Sequence, residues 1–306
     1  MRVIIIGGSG FLGGEIIKVF RASGHNCVVL DADYRLGRLS SKEKDVEYIV
    51  YNFFGGDSIE PYLENTDVVI HLASSTYPSK SMENILYCAQ TNIIASLRLF
   101  EALDKRGIKR LIFASSGGTV YGMQERLPIN ERELALPINA YGVSKLTIES
   151  YLSIFKSLSG VSLRIANPYG YAQLFGSPIG LIAHTLLALE AGQKIQIWGD
   201  GKIVRDYIAV EDVAKAFLLA ADLSITPPGR YNIGSGIGKS INEILDECFT
   251  ISGRSVSIEY KAQRSFDVPA IILDCSKFTK LTDWTSAIGL QLGITNLWGR
   301  LKARKC

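Results

Sequence analysis

The run Arg2-Val3-Ile4-Ile5-Ile6 passes directly into Gly7-Gly8-Ser9-Gly10-Phe11-Leu12-Gly13, and residues 15–20 continue as a helix. An unbroken β-branched run, rather than an alternating one, suits a parallel strand buried on both faces. Strand, glycine turn and helix in immediate succession are the context of a pyrophosphate cradle. Gly7 permits the tight turn, Gly10 lets the backbone approach an anion, and Gly13 lets the helix pack close to the strand. The helix amino terminus adds unpaired N–H groups and the positive end of its dipole. The glycine spacing is GxxGxxG rather than GxGxxG. Gly7, Gly10, Phe11, Leu12 and Gly13 are the candidate contacts of this cradle.

The second strand, Cys27-Val28-Val29-Leu30, ends at Asp31. A carboxylate there accepts from adenosine ribose hydroxyls and repels a 2′-phosphate, which favours NAD over NADP. Arg35 and Arg38 follow closely and soften that preference, and Asp33 reads as a solvated turn residue. Strands are expected at 67–72, 110–114 and 161–165, with helices at 83–105 and 141–158 between them. This alternation predicts an α/β, Rossmann-type doubly wound parallel sheet. After Asn167-Pro168-Tyr169-Gly170 the alternation fails and turns multiply. Residues 1–167 are therefore expected to form the dinucleotide-binding domain, with a segment near 204–222 returning to it. Residues 168–306 are expected to form mostly a smaller substrate lobe.

Tyr141-Gly142-Val143-Ser144-Lys145 places a tyrosine and a lysine one turn apart on a helix face. A phenol with a pKa near about 10 is a poor base at neutral pH, and an adjacent ammonium favours its ionised form. Such a pair can take a proton from a sugar hydroxyl.

A chain of 306 residues with a formal charge of +3 can bury a large core and carries no strong bias toward nucleic acid. The cysteines, Cys27, Cys88, Cys248, Cys275 and Cys306, form no CxxC pair and no metal spacing with the histidines. Such a dispersed, odd set is expected of reduced thiols and a cytoplasmic location. The apolar start is too short, and too broken by glycine, for a secretion leader. No apolar run approaches the roughly 20 residues of a membrane span. No metal and no membrane partner are expected.

With the glycine loop, Asp31 and Tyr141/Lys145 in place, the chain resembles the extended short-chain dehydrogenase/reductases, and among them the nucleotide-sugar 4-epimerases of the UDP-glucose 4-epimerase type. Further segments carry the resemblance in order: residues 115–122 (SSGGTVYG), 164–170 (RIANPYG), 198–201 (WGDG), 205–208 (RDYI), 231–234 (YNIG) and 264–269 (RSFDVP). The resemblance implies Tyr141 as acid/base, Lys145 as the residue that holds the nicotinamide ribose and lowers the tyrosine pKa, and Ser116 as the hydroxyl bonded to the reacting sugar oxygen. Ser115 and Thr119 are alternatives for that hydroxyl. It implies NAD as cofactor, bordered also by Leu72, Ala73, Ser74, Asn92 and Asn52, the last standing where many relatives carry Asp. His71 reads as a packed strand residue. For the substrate, a UDP- or dTDP-hexose, it implies Asn167, Arg205 and Arg264 near the diphosphate. Asp267 falls at the ribose, Gln196 and Trp198 at the base, Tyr207 nearby and Ile271 at the sugar. A branched Ile271 suggests plain hexoses rather than 2-acetamido sugars.

The cycle so implied passes through a transient 4-keto sugar that turns about its diphosphate and is reduced on its other face. Gly118 and Thr119 occupy the places where related 4,6-dehydratases carry Asp-Glu, which argues against dehydration. An NAD(P)H-dependent 4-keto-sugar reductase shares the Ser/Tyr/Lys set and is the alternative activity. A non-catalytic scaffold is the alternative class. A homodimer is expected through helices 83–105 and 141–158, with Leu86, Ile93, Leu97 and Phe100 as the apolar stripe.

Overall fold

The computed structural model describes residues 1–37, 43–174, 180–264 and 267–303. Arg38, Ser265, Phe266 and Cys306 lie outside the described residues. The first strands are β1 (Arg2–Ile6), β2 (Asn26–Asp31), β3 (Glu47–Val50), β4 (Val68–His71), β5 (Arg110–Ser116) and β6 (Ser159–Ile165). They are followed by β7 (Asn167–Tyr169), β8 (Ile195–Trp198), β9 (Val204–Ala209), β10 (Gly229–Ile233), β11 (Gly238–Ser240), β12 (Ile258–Lys261) and β13 (Ala270–Ile271). The longer helices are α1 (Phe11–Ala22), α2 (Ala95–Lys105), α3 (Ala140–Leu152), α4 (Leu181–Ala191), α5 (Val210–Ala221), α6 (Ile241–Ser252) and α7 (Leu290–Ala303).

The main sheet is parallel throughout, in the order β10-β6-β5-β4-β1-β2-β3. Chain direction across the sheet reverses between β1 and β4, so the crevice beyond their carboxyl ends is the natural ligand position. The β-branched run explains why β1 is central. Val3 and Ile5 join one apolar cluster and Ile4 and Ile6 the opposite one, so both faces of the strand are covered. α1 and α5 cover the first face, and α2 and α3 the second. The alternation read from sequence thus gives the doubly wound sheet.

Three boundaries differ from expectation, each for a physical reason. The expected helix over 83–105 begins after Asn84, whose side chain accepts the Tyr87 N–H at 2.9 Å as an N-cap. It then widens into a π-helical stretch, Ala89–Ile94, before α2. Thr91 and Ser96 hydroxyls bond the carbonyls four residues back, at 2.7 and 2.6 Å, the kind of competition that loosens helical turns. Helix α3 stops at Leu152 rather than 158, because Phe155 turns back to pack edge-on against Phe100, with ring centroids 5.7 Å apart.

The segment expected to return near 204–222 divides. α5 packs against α1 on the main domain, but β9 pairs with β7, β11 and β13 in a second sheet. The strand that joins the main sheet is β10. Its Asn232 obscured that in the sequence; buried, it accepts from Tyr121 Oη at 2.7 Å and donates to the Ile129 and Asp274 carbonyls at 2.8 and 3.1 Å. Among the described residues no helix is long and apolar enough to cross a membrane, and no cluster of side chains suits a metal ion.

Candidate active site at the carboxyl ends of the sheet

The glycine turn leaves β1 at the switch point. Gly7 has φ +80°, and a β-carbon there would lie 2.8 Å from the Ala73 backbone, so this turn and the loop after β4 admit only glycine at that position. At Gly13 an added carbon would sit 2.5 Å from the Gly8 carbonyl carbon and 2.6 Å from its α-carbon. Helix α1 therefore rides directly on the turn. It starts from Gly10 with no side-chain cap, so its first N–H groups are left without a side-chain partner. Phe11 and Leu12 open the helix, and the Phe11 ring touches the Gly170 backbone region. This cradle fits a dinucleotide pyrophosphate.

Asp31 ends β2 and is 7 % exposed. It accepts from the Ser9 N–H at 3.1 Å, from the Ser9 hydroxyl and from Ala32 N–H at 2.8 Å, with Arg35 Nε 3.9 Å away. The acid is thereby tied to the glycine turn at the edge where a ribose would lie. Asn52, beyond β3, is exposed, and its side-chain oxygen closes a turn by accepting Gly55 N–H at 2.9 Å. Leu72 and Ala73 run along the glycine turn, with Leu72 N–H donating to Ile6 at 2.9 Å.

The Asn92 side chain is occupied by the loop after β4. Its oxygen accepts from Ser74 Oγ at 3.3 Å and Ser75 N–H at 3.0 Å, and its nitrogen donates to Ser75 Oγ at 3.0 Å and Cys88 O at 2.9 Å. Ser74 Oγ also donates to Thr76 O at 2.9 Å. Asn92 thus clamps this wall of the crevice rather than presenting an open amide. His71 is buried among Phe53 and Phe113, with Nε2 2.9 Å from Ser96 Oγ, and burial pushes its pKa down to about 3. It is a neutral packed histidine.

Helix α3 carries the Tyr141/Lys145 pair. Asn139 caps it, accepting Gly142 N–H at 2.8 Å, and Tyr141 N–H donates to Ser81 Oγ at 3.1 Å. Lys145 is buried; its Nζ donates to Ala114 O at 2.7 Å and stands 5.4 Å from the Tyr141 ring centroid and 4.6 Å from that of Phe113. Burial pulls the lysine pKa down to about 8, opposed by the charges of Glu149 and Cys88. The tyrosine departs from expectation: burial, with a contribution from Cys88, pushes its pKa up to about 12. The ammonium proton is directed to the Ala114 carbonyl rather than to the phenol, so the lysine alone does not make this tyrosine acidic.

Strand alternation separates the two serines at the end of β5. Ser115 turns toward α3 and donates to Glu149 Oε1 at 2.5 Å. Ser116 faces the other way. A carbon added at Gly118 would lie 4.0 Å from Ser116 Oγ and 3.4 Å from Asn167 Oδ1, so these two polar atoms border one space. The Thr119 hydroxyl is buried without a hydrogen-bond partner.

In the second lobe, β9 and β13 pair in parallel and bring Arg205 beside 267–271. Arg205 Nη1 donates to Val268 O at 2.7 Å; burial lowers its pKa and the Asp267 charge opposes this. Tyr207 follows on β9, its pKa pushed by burial up to about 12. The Arg264 guanidinium lies 4.0 Å over the Trp198 ring, so two expected ligand contacts stack on each other. Gln196 Nε2 donates to Glu259 at 3.1 Å on the exposed face of the β8–β12 pair. Ile271 requires correction. It is 1 % exposed and packs in the main apolar cluster with Leu273 and Phe278, so its branching says nothing about the sugar. The dimer stripe is corrected too: Phe100 is wholly buried, and Ile93 and Leu97 pack on the chain's own core.

Sequence reading missed the buried pair Glu149–Arg164 behind this centre, with Arg164 Nη2 2.6 Å from Glu149 Oε2. The signal was present, since an arginine inside the apolar strand Val161-Ser162-Leu163-Arg164-Ile165 demands an acidic partner.

The sequence pattern of the NAD dependent epimerase/dehydratase family matches residues 3–234. The chain is 30 % identical to a dTDP-4-dehydro-6-deoxyglucose reductase of Escherichia coli, covering 99 % of this chain and 98 % of that one. The crystal structure of a UDP-glucose 4-epimerase with UDP-glucose, from Thermotoga maritima, superposes with a TM-score of 0.91 at 30 % identity, covering both chains fully. A Thermus thermophilus UDP-glucose 4-epimerase in complex with NAD superposes with a TM-score of 0.89 at 28 % identity over 99 % of each chain.

Proposed function

Since the chain belongs to the NAD dependent epimerase/dehydratase family, we propose that it is an NAD-dependent nucleotide-sugar 4-epimerase of the UDP-glucose/UDP-galactose type. The observation that supports this reading is that the Gly7–Gly13 turn, tied to Asp31, follows β1 while Ser116 and the carbonyl bonded by Lys145 end β5, at the same carboxyl edge of one parallel sheet.

Gly7, Gly10 and Gly13 would admit the cofactor pyrophosphate, Asp31 would accept from its ribose, and Lys145 would hold the nicotinamide ribose. When bound, NAD supplies a reversible hydride acceptor and a cationic ring. Tyr141 takes the proton from the sugar C4 hydroxyl and later returns it. A phenol whose pKa burial pushes up to about 12 needs positive charge beside it to ionise, which a bound nicotinamide would supply. Ser116 hydrogen-bonds the C4 oxygen, beside Asn167. Arg205 and Arg264 hold the diphosphate, Asp267 the nucleotide ribose, and Trp198 with Gln196 the base. Tyr207 lines the same side. Arginine forks suit diphosphate oxygens, and a firm hold there lets the sugar turn without leaving.

Proton NMR with a panel of UDP- and dTDP-hexoses, without added reductant, tests the proposal. Exchange of C4 epimers with no net cofactor change is the expected result. A specific observation favours a second reading, the reductase similarity over nearly the whole chain. Stoichiometric NAD(P)H oxidation by a 4-keto sugar, without epimer exchange, would establish that instead.

The unpaired thiols Cys27, Cys88, Cys248 and Cys275 support a cytoplasmic location, which fractionation of the source cells would check. Exposed Leu86, Tyr87, Ile94, Val143 and Tyr151 on the helical segments between residues 85 and 152, with Ile154 in the turn after α3, support a homodimer. A monomer in sedimentation at micromolar concentration would refute it.

A further inference from the structure

Tyr141, Lys145 and Glu149 lie at successive four-residue steps of α3, on one face. Glu149 is 2 % exposed, and a buried carboxylate is retained only when it is well paired. Its partners come from three strands of the main sheet. Ser115 of β5 donates to Oε1 at 2.5 Å. Arg164 of β6 donates through Nε, at 3.0 and 3.2 Å to the two oxygens, and through Nη2 at 2.6 Å. Arg230 of β10 places Nε 3.1 Å from Oε2. The Arg164 guanidinium is itself steadied over the Tyr121 ring at 4.7 Å. The residue that Glu149 grips on β5, Ser115, stands between Ala114, whose carbonyl receives the Lys145 proton, and Ser116.

We propose that Glu149 is a positioning residue of the reaction centre, fixing the β5 end that carries both the Lys145 acceptor and Ser116. The inference rests on the acid–base reading proposed above.

Other groups around Lys145 do not replace this charge. Tyr141 lies on its own helix, Phe113 and the Ala114 carbonyl come from β5, and Cys88 comes from the turn Ile85–Cys88. His71 of β4 is neutral, its pKa depressed partly by Lys145 itself. Cys88 hydrogen-bonds Thr76 and Ser144 hydroxyls, at 3.2 and 3.4 Å, and holds charge only as a thiolate. Burial penalises the ammonium, and Glu149 leads the groups that oppose it. On the far side the carboxylate is faced by Arg164 and Arg230, with Glu131 and Lys277 farther out.

The test compares Glu149→Gln, Glu149→Asp and the double variant Glu149→Gln with Arg164→Met, which removes the guanidinium left unpaired and guards against misfolding. The first readout is the carbon-13 ε resonance of Lys145, assigned by its loss in Lys145→Met and titrated from pH 6 to 11. The expected result is a midpoint lowered by about one unit in Glu149→Gln, partly restored in Glu149→Asp, and lowered less in the double variant, where a positive charge is lost together with the negative one. The second readout is the alkaline limb of the kcat/KM profile, expected to move with it. An unchanged midpoint in Glu149→Gln, with only the melting temperature lowered, would overturn the proposal. A shifted lysine midpoint in a protein without epimerase activity would sink the function reading and leave this one standing.

Discussion

Gly13 and Gly14 are neighbours in the first turns of α1 and make a controlled comparison. At Gly14 an added carbon meets nothing within 4 Å, so Gly14→Ala gains helix propensity of about 1 kcal/mol with no packing cost. At Gly13 the same carbon falls 2.5 Å from the Gly8 carbonyl carbon and closer still to its oxygen. Restoring an ordinary contact requires the helix start and the glycine turn to separate by about 1 Å, and overpacking of this sort costs about 1–3 kcal/mol. The displaced parts are the N–H groups offered to a pyrophosphate, and a misplacement of that size in a binding site costs about 100-fold. Gly13→Ala is therefore expected to weaken NAD binding about 100-fold while melting a few degrees lower. Gly14→Ala should melt about 2 °C higher with unchanged affinity. Calorimetric titration with NAD and thermal melts on both variants decide it. Wild-type NAD affinity in Gly13→Ala would refute the argument that this contact sets the cradle.

Two further outcomes follow from the strand end and from a buried ring. Ser116→Ala should lower kcat about 100-fold at unchanged melting temperature, as for loss of a donor to a reacting oxygen, whereas Ser115→Ala should cost about 2 kcal/mol of stability by stripping a hydrogen bond from a buried carboxylate. Denaturant melts and steady-state kinetics separate the two, and the reverse pattern would assign the sugar contact to Ser115. His71 is held neutral with its pKa near about 3, against 6.5 for a free histidine. The unfolded chain then binds more protons between these values, so this contribution is complete above pH 6.5. It falls as pH drops, by about 1.4 kcal/mol per unit. His71→Phe should flatten the stability slope between pH 6 and 4, and equal slopes in urea melts would show that the ring is not neutral in the native state.

The sheet was legible because its signals are local. Val3 to Ile6 must be covered on both faces whatever follows, and the glycines at 7, 10 and 13 report contacts made within the same βα unit or with the adjoining strand's loop. Asp31 was legible for the same reason, being one strand from the turn that binds it. The π-helical stretch was not, since the amide of Asn92 is satisfied by residues 74 and 75, which no periodicity in helix 83–105 can announce. β10 was missed because Asn232 interrupts its apolar run and is excused only by partners around positions 121, 129 and 274. Ile271 was misread because register, not residue type, decides whether a short strand's side chain faces a ligand or the core.

The same contrast separates what the two halves of the crevice require of the chain. A pyrophosphate is bound by backbone, so its site is written in glycines, and a missing side chain is visible in any sequence. The proton chemistry depends instead on how far an ammonium and a phenol are desolvated, and here burial by distant residues pushes Tyr141 up to about 12 and Lys145 down to about 8. Each residue is held in its neutral-favouring direction, so neither type nor spacing supplies the reactive form. Charge from outside the Tyr-x-x-x-Lys pair must do so. Glu149 is placed to keep the lysine ionised, and a cationic nicotinamide would act on the phenol. The motif thus names the candidate proton-exchanging groups, while the buried carboxylate one turn farther along the helix is the proposed influence on the pH at which they act.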